Sequence, residues 1–203
     1  LNLINEEYLK EQTEKLSRTQ NLEPRTQKFY IGLLIGGDTK NFRLEGNTIL
    51  EVIKQVKSAC EKLGADILVT TSRRTTGEVE KIIKAEFKDY SRCKLLVIAN
   101  EKNIPQALGG ILGLSQIIIT TPESISMISE AVNSKKHVLV FKAGNLSKKH
   151  SRFLNLFSKN KYIRLIKNVY DLSENIEDIW LNKPKINALS DNLLIKEAIG
   201  RIL

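Results

Sequence analysis

The sequence predicts an α/β fold, a Rossmann-like parallel sheet of about six strands with helices on both faces. Short apolar runs alternate with amphipathic segments along residues 29–168. Each run is continuously apolar, without the polar residue at every second position that a half-exposed strand carries. Such runs are typical of strands buried on both faces, and burial on both faces requires a layer of helices above and below the sheet.

The order of elements follows from this alternation. The first amphipathic segment places Ile49, Val52, Ile53 and Val56 at spacings of three and four, as in a helix with one buried face, and Gly64 then ends it. The predicted strands are residues 30–35, 66–70, 94–98, 116–120, 137–141 and 162–165. The predicted helices between them are residues 47–63, 76–87, 107–112, 123–134 and 147–157.

Three regions are predicted along the chain. Residues 1–28 form a polar helix, at 5–19, and a linker that contains Pro24. Residues 29–168 form the Rossmann-like domain, and residues 169–203 form a C-terminal tail with a final amphipathic helix at 192–202. The first residue is Leu1 and not Met, so we expect the sequence to be a piece of a longer protein.

The net charge of +9 predicts anionic partners, which are phosphates, nucleic acid or an acidic membrane surface. Aromatic residues make up only 6% of the chain and do not interleave with basic ones, as they do in proteins that bind single strands. Nucleic acid is therefore disfavoured as a partner. An anionic membrane surface stays open as an alternative to a phosphate-bearing ligand.

Cysteine and histidine are scarce. Cys60, Cys93, His137 and His150 have no zinc-site spacing, so we expect no metal, and both cysteines are predicted to be reduced. No apolar run reaches the roughly 20 residues of a membrane span, and the N-terminus lacks the apolar core of a signal peptide. The predicted location is cytoplasmic, with peripheral membrane association as the alternative.

Right-handed crossovers place every strand-to-helix loop at one edge of the sheet, where ligands bind in open α/β folds. The first of these loops is Gly36, Gly37, Asp38, Thr39 and Lys40. Paired glycines let backbone amides approach an anion closely, while a hydroxyl and an ammonium group add to the attraction. A plain tight turn is the alternative, since neither the Walker nor the dinucleotide-binding pattern is present.

The loop after the fourth strand has signals of a helix start. Thr121 is the predicted N-cap, with Pro122 in the first helical position. Free amides there, together with Ser124, Ser126 and the helix dipole, suit a phosphate. The alternative is a capped surface helix.

Two carboxylates accompany that helix start. Glu130 lies two turns further on, within reach of ribose hydroxyls. Glu123 is anionic and falls in the predicted first turn, so its carboxylate is expected to point away from a bound phosphate.

The loop after the second strand carries Ser72, Arg73 and Arg74. Guanidinium groups bind phosphate or carboxylate through two hydrogen bonds at once, which favours an anion contact over a solvated turn. No Ser/His/Asp arrangement is evident, and His150 is expected to be exposed on a lysine-rich helix.

Residues 35–40, 71–75 and 121–131 together resemble the ELM family, plant mitochondrial-fission proteins and bacterial relatives often labelled nucleoside-diphosphate-sugar epimerases. The resemblance covers residues 30–157 and implies the C-terminal domain type of a GT-B glycosyltransferase. Residues 29–168 would then bind a nucleotide sugar, such as a UDP- or GDP-sugar, as substrate, with no further cofactor. An acceptor domain would precede them.

The resemblance also implies roles for particular residues. The diphosphate would lie along Gly36, Gly37 and Thr39, with hydroxyls and amides from Ser124, Ser126 and Met127. Glu130 would bind the ribose, and Arg73 and Arg74 would face the cleft. The family usually has an aspartate where this chain has Glu123.

The favoured hypothesis is thus a nucleotide-sugar-binding domain of a GT-B-type protein, whose catalytic residues are left unassigned. One alternative is a non-enzymatic interaction module of the mitochondrial-fission type, docking on a membrane or a protein. The other is a sugar-nucleotide epimerase, for which Asp38, Glu123 and Glu130 are the loop carboxylates available as acid or base.

Overall fold

The computed structural model describes residues 4–23 and 27–187. Its strands are β1 (Tyr30–Ile35), β2 (Asp66–Thr71), β3 (Cys93–Val97), β4 (Ile117–Thr120), β5 (His137–Phe141) and β6 (Arg164–Ile166). Its helices are α1 (Glu6–Gln20), α2 (Gly46–Leu63), α3 (Gly77–Phe87), α4 (Ala107–Leu114), α5 (Ile125–Asn133), α6 (Lys148–Lys159) and α7 (Leu172–Asn182). A short 3-10 helix, Val169–Asp171, precedes α7.

The strands form one six-stranded sheet in the order β3-β2-β1-β4-β5-β6. Every neighbouring pair is parallel. The strand order reverses between β1 and β4, which lie side by side at the centre with Leu34 opposite Thr120. The loops after β1 and β4 therefore diverge at this point and leave a crevice, which is where open α/β sheets bind ligands.

The core has one cluster on each face of the sheet. Ile31, Leu33 and Ile35 belong to the cluster that contains the buried face of α2, and Tyr30 and Leu34 belong to the cluster that contains α4. Alternate residues of β1 therefore point to opposite faces, and both faces are covered by helices. The predicted α/β fold, with its parallel sheet between helix layers, is confirmed.

Most predicted elements differ from the observed ones by one or two residues at their ends. The sixth strand begins two residues later than predicted, because Tyr162 completes the end of α6 and does not begin the strand. The Tyr162 amide donates to the carbonyl of Phe157 at 2.9 Å, and Lys161 has a positive φ of 58° in the turn between them. The strand therefore begins only at Arg164.

Helix α7 lies in the predicted C-terminal tail, in a part for which no helix or strand is predicted from the sequence. Leu172, Ile176 and Ile179 are buried on its inner side and join the cluster that contains α2. The Trp180 ring stacks on Phe29, with centroids 3.7 Å apart and planes 8° from parallel. The segment therefore covers part of the sheet domain. The final helix predicted at residues 192–202 lies outside the described residues.

Helix α1 packs along α4, where glycines allow close approach. Gly109, Gly110 and Gly113 line the contact, and a Cβ atom added at Gly110 would lie 2.4 Å from Cδ2 of Leu16. Leu16 is fully buried there. Asn5 caps the helix by accepting from the Tyr8 amide at 2.7 Å.

Cys60 is buried and Cys93 is half-buried, and both are free thiols. Burial raises the pKa of Cys60 to about 12 and that of Cys93 to about 11, so both stay protonated at neutral pH. Within residues 4–23 and 27–187, no helix has both the length and the apolar character needed to cross a membrane.

Candidate functional site

The loops after β1 and β4 meet at the point where the strand order reverses. The amide of Gly36 donates to Oγ1 of Thr121 at 2.9 Å, and the amide of Gly37 donates to Oε1 of Glu123 at 2.9 Å. Both hydrogen bonds are buried. Two of the three motifs singled out in the sequence are therefore in direct contact, although they lie more than eighty residues apart.

The loop after β2 joins them from the other side. Thr75 donates its hydroxyl to the carbonyl of Gly36 at 2.6 Å, and the amide of Asp38 donates to the carbonyl of Arg74 at 3.1 Å. Ser72 accepts from the Arg74 amide at 3.2 Å and shapes the turn. The three loops form one hydrogen-bonded unit at the carboxyl edge of the sheet.

The paired glycines are required by close packing. A Cβ atom at Gly36 would lie 1.6 Å from Oε1 of Glu123, and one at Gly37 would lie 2.0 Å from the carbonyl carbon and oxygen of Arg74. Their amides are also already bonded to side chains of the β4–α5 loop. The glycines thus hold the three loops together, and an external anion would meet amides that already have partners.

Helix α5 begins later than the sequence predicts. Its N-cap is Ser124, whose Oγ accepts from the Met127 amide at 3.4 Å, and the first helical residue is Ile125. The predicted N-cap, Thr121, is wrong because its hydroxyl is engaged by Gly36 instead. The amides of Ile125 and Ser126 lie in the first turn, where no intrahelical acceptor exists, at the positive end of the helix dipole.

Glu130 follows one helical turn after Ser126. Ser126 is exposed, and its hydroxyl donates to Oε1 of Glu130 at 3.3 Å. Burial raises the pKa of the half-buried Glu130 carboxyl above its ordinary value, while the hydrogen bond from Ser126 lowers it. Glu130 therefore presents a partly desolvated acceptor beside the free amides of α5, which suits a ligand hydroxyl.

Glu123 is buried, with 3% of its surface exposed. Contrary to the expectation that it points away from a bound phosphate, its carboxylate turns into the glycine loop, the other half of the predicted anion site. Burial raises the pKa of this carboxyl, and hydrogen bonds from its own amide, Thr121 and Gly37, with the Arg74 charge, act in the opposite direction. Its second oxygen, Oε2, is buried and has no hydrogen-bond partner within the described part of the chain.

A cavity of about 170 Å³ opens beside Glu123. It is lined by Thr39, Lys40, Asn41, Phe42, Glu123, Leu146, Ser147 and His150. Leu146 and Ser147 come from the β5–α6 loop, one of the strand-to-helix loops expected at this edge. The expectation that His150 is exposed is wrong, because its side chain is half-buried here. Ser147 is the N-cap of α6, and its Oγ lies 2.8 Å from Nδ1 of His150.

The remaining site residues lie on the outer side of the same edge. Lys40, Arg73 and Arg74 are exposed, and no carboxylate in residues 4–23 or 27–187 forms an ion pair with them. Asp38 accepts from the Leu44 amide at 3.1 Å and so closes the loop after β1. The carboxyl edge of the sheet thus carries exposed cationic side chains, the first-turn amides of α5 and the half-buried carboxylate of Glu130.

A parallel sheet in the order β3-β2-β1-β4-β5-β6, with helices on both faces, defines a Rossmann-like domain. The chain belongs to the family described as Mitochondrial fission ELM1, whose model matches residues 1–188. A protein of Rickettsia prowazekii (strain Madrid E), Uncharacterized protein RP120, is 24% identical over 159 residues, which are 78% of this chain and 44% of that protein.

Two solved structures share the fold. A candidate UDP-N-acetylglucosamine 2-epimerase from Listeria monocytogenes superposes with a TM-score of 0.59 at 16% identity, over 88% of this chain and 46% of that one. ALG13 superposes with a TM-score of 0.54 at 13% identity, over 85% of this chain and 96% of that one. The chain therefore spans less than half the length of the Rickettsia and Listeria proteins.

Proposed function

We propose that this chain is the nucleotide-sugar-binding domain of a GT-B-type, glycosyltransferase-like protein. The observation that carries the proposal is the first turn of α5, which lies where the strand order reverses, with the amides of Ile125 and Ser126 free of intrahelical acceptors. Anionic phosphates bind such helix starts because the amides and the dipole both favour negative charge. Arg73 and Arg74 are exposed on the loop after β2, and β1 lies between β2 and β4.

Each group would then have a defined role. The diphosphate would accept hydrogen bonds from the amides of Ile125 and Ser126, Glu130 would accept from the ribose hydroxyls, and Arg73 would bind the outer phosphate. In a transferase, these donors would stabilise the charge that develops on the leaving diphosphate. The catalytic acid or base and the binding site for the acceptor substrate would come from another domain, such as an N-terminal acceptor domain.

The Listeria neighbour supports this choice of ligand, since its name places a UDP-sugar in a protein of the same fold. Because that likeness is at 16% identity, it carries no residue roles. UDP and GDP, with their sugar conjugates, are therefore all ligands to test.

Isothermal titration of the purified chain with UDP, GDP and their sugar conjugates tests the proposal. We expect micromolar affinity for one nucleotide. The Glu130→Ala and Arg73→Ala variants should each bind it about tenfold more weakly, which corresponds to about 1.4 kcal/mol for one charge-assisted hydrogen bond.

Two exposed residues of α1 that lie outside the three loops provide matched controls, one for each charge. Glu14→Ala and Arg18→Ala should keep the affinity of the unsubstituted chain. If the folded protein binds no nucleotide at millimolar concentration, the proposal is wrong.

A second candidate function, docking on an anionic membrane, rests on α6. Lys148, Arg152 and Lys159 are exposed on this helix, which contains no acidic residue. Each lysine or arginine held close to an anionic bilayer adds about 1 kcal/mol to the free energy of membrane binding. We expect phosphatidylserine vesicles to sediment the chain at 50 mM salt and to release it at about 500 mM, where charges are screened within a few ångströms.

Reversing two of these charges, in Lys148→Glu with Arg152→Glu, should abolish sedimentation with the vesicles. Lys15→Glu on α1 serves as the control. Binding that survives both high salt and the charge reversal would exclude electrostatic docking through α6.

A further inference from the structure

The loop after β1 already holds a carboxylate where the sequence analysis expects a phosphate. Oε1 of Glu123 lies 2.9 Å from the amide of Gly37, and it fills the space over Gly36 so closely that a Cβ atom there would lie 1.6 Å away. A carboxylate oxygen that accepts from a glycine amide makes the same kind of contact that a phosphate oxygen makes in such a loop. The protein thus supplies its own anion.

The charges around Glu123 fit an anion-binding position. Arg74 is close enough to stabilise the ionised carboxyl, and Lys40 and His150 line the same cavity as Glu123. Oε2 of Glu123 is buried, and no group in the described segments forms a hydrogen bond with it. Arg74 and Lys40 carry positive charges that a phosphate would use, and Glu123 lies beside them.

We propose that Glu123 is an internal carboxylate that competes with the phosphate of a ligand for the Gly36–Gly37 loop. A phosphate bound at the start of α5 cannot extend onto this loop while Glu123 carries its charge there, since two anions would share the same donors. Glu123 therefore sets how tightly the site binds diphosphates. This inference rests on the proposed function and adds a residue that works against binding.

Removal of the charge tests the inference directly. Glu123→Gln removes the charge but keeps an oxygen that can accept from the Gly37 amide when no ligand is bound. The loop therefore keeps its shape, and an entering phosphate has to displace a neutral group and not a second anion. At pH 8, titration with inorganic pyrophosphate and with UDP should show at least tenfold tighter binding by Glu123→Gln than by the unsubstituted chain. Glu123→Ser, which also lacks the charge, should bind more tightly as well and carries the test if the Gln variant does not fold.

Two further variants separate charge from shape. Glu123→Asp keeps the charge and should show no such gain. Glu130→Gln removes a carboxylate that the proposed function places on the ribose, so it should weaken UDP binding while leaving pyrophosphate binding nearly unchanged. Neutralising Glu123 should raise the affinity for UDP, and neutralising Glu130 should lower it. Both substitutions change the net charge equally, so net charge cannot explain effects of opposite sign.

The gain should depend on pH. Because burial raises the pKa of Glu123, this carboxyl takes up its proton at a higher pH than an ordinary glutamate, and the difference between Glu123→Gln and the unsubstituted chain should narrow from pH 8 to pH 5. The other ionisable side chains of the loops around this position, Asp38, Lys40, Arg74 and His150, are the same in both proteins, as is any effect of pH on pyrophosphate itself. The comparison between the two proteins therefore isolates Glu123.

The outcomes distinguish this inference from the proposed function. If UDP binds the unsubstituted chain but the uncharged variants bind neither ligand more tightly, the competition is wrong and the nucleotide proposal stands. If the uncharged variants gain pyrophosphate binding but none of the proteins binds a nucleotide, the competition holds and the nucleotide proposal fails. Absence of all binding overturns both.

Discussion

Gly37→Ala is expected to lower the free energy of unfolding by about 3 kcal/mol, the upper part of the range for overpacking a closed site. The added Cβ atom would lie 2.0 Å from the carbonyl carbon and oxygen of Arg74. These are backbone atoms, so no side-chain rotation relieves the clash. The loops after β1 and β2 would have to separate, which breaks the hydrogen bond from the Asp38 amide to Arg74.

Chemical denaturation of the purified variant measures this effect, and Gly77→Ala is the matched control. Gly77 opens α3, and a Cβ atom there would meet nothing within 4 Å. Alanine in that helical position should leave stability unchanged or raise it by up to about 1 kcal/mol, because glycine is the poorer helix former. Equal denaturation midpoints for Gly37→Ala and Gly77→Ala would contradict the prediction, because the loops after β1 and β2 would then separate at little cost in free energy.

The parallel sheet could be predicted from the sequence because its signal is local. The strand Tyr30–Ile35 is continuously apolar, and His137–Phe141 is apolar after its first residue. The apolar residues of the helices between the strands recur at helical spacing. The rules of right-handed connection were enough to place the loops at one edge of the sheet, but the order of the strands was not predicted. Helix α7 shows the limit, since Leu172, Ile176 and Ile179 have helical spacing but occur in a segment that is otherwise polar.

The candidate site could be predicted only in part. The sequence analysis selected the three loops, which the structure brings together, but the contacts among them depend on the register of β1 against β4. That register puts Thr121 and Glu123 onto the amides of Gly36 and Gly37. The local sequence pattern contains no information about contacts between residues so far apart in the chain. The amides of Gly36 and Gly37 were therefore assigned to a ligand, and the N-cap of α5 was placed at Thr121. Whether the selected residues bind a nucleotide stays a prediction.

Leu16→Ala is expected to destabilise the protein by about 3 kcal/mol, within the 2–5 kcal/mol range for a buried leucine. Leu16 is fully buried between α1 and α4, where its side chain lies against Gly110. Glycine has no side chain that could move into the vacated space, so a cavity should remain. The size of the effect also measures how far α1 contributes to the stability of the sheet domain.

Denaturant unfolding followed by circular dichroism and by Trp180 fluorescence distinguishes two cases. In one, α1 and the sheet unfold together, and in the other α1 detaches by itself. Trp180 lies on α7 against Phe29, on the sheet face opposite α1. If α1 and the sheet unfold as one unit, both probes should move to the same lower midpoint in Leu16→Ala. Leu181→Ala, at a position 72% exposed, should change stability by less than about 0.5 kcal/mol. A fluorescence midpoint that stays in place while helical signal is lost early would mean that α1 detaches by itself and that the sheet domain is stable without it.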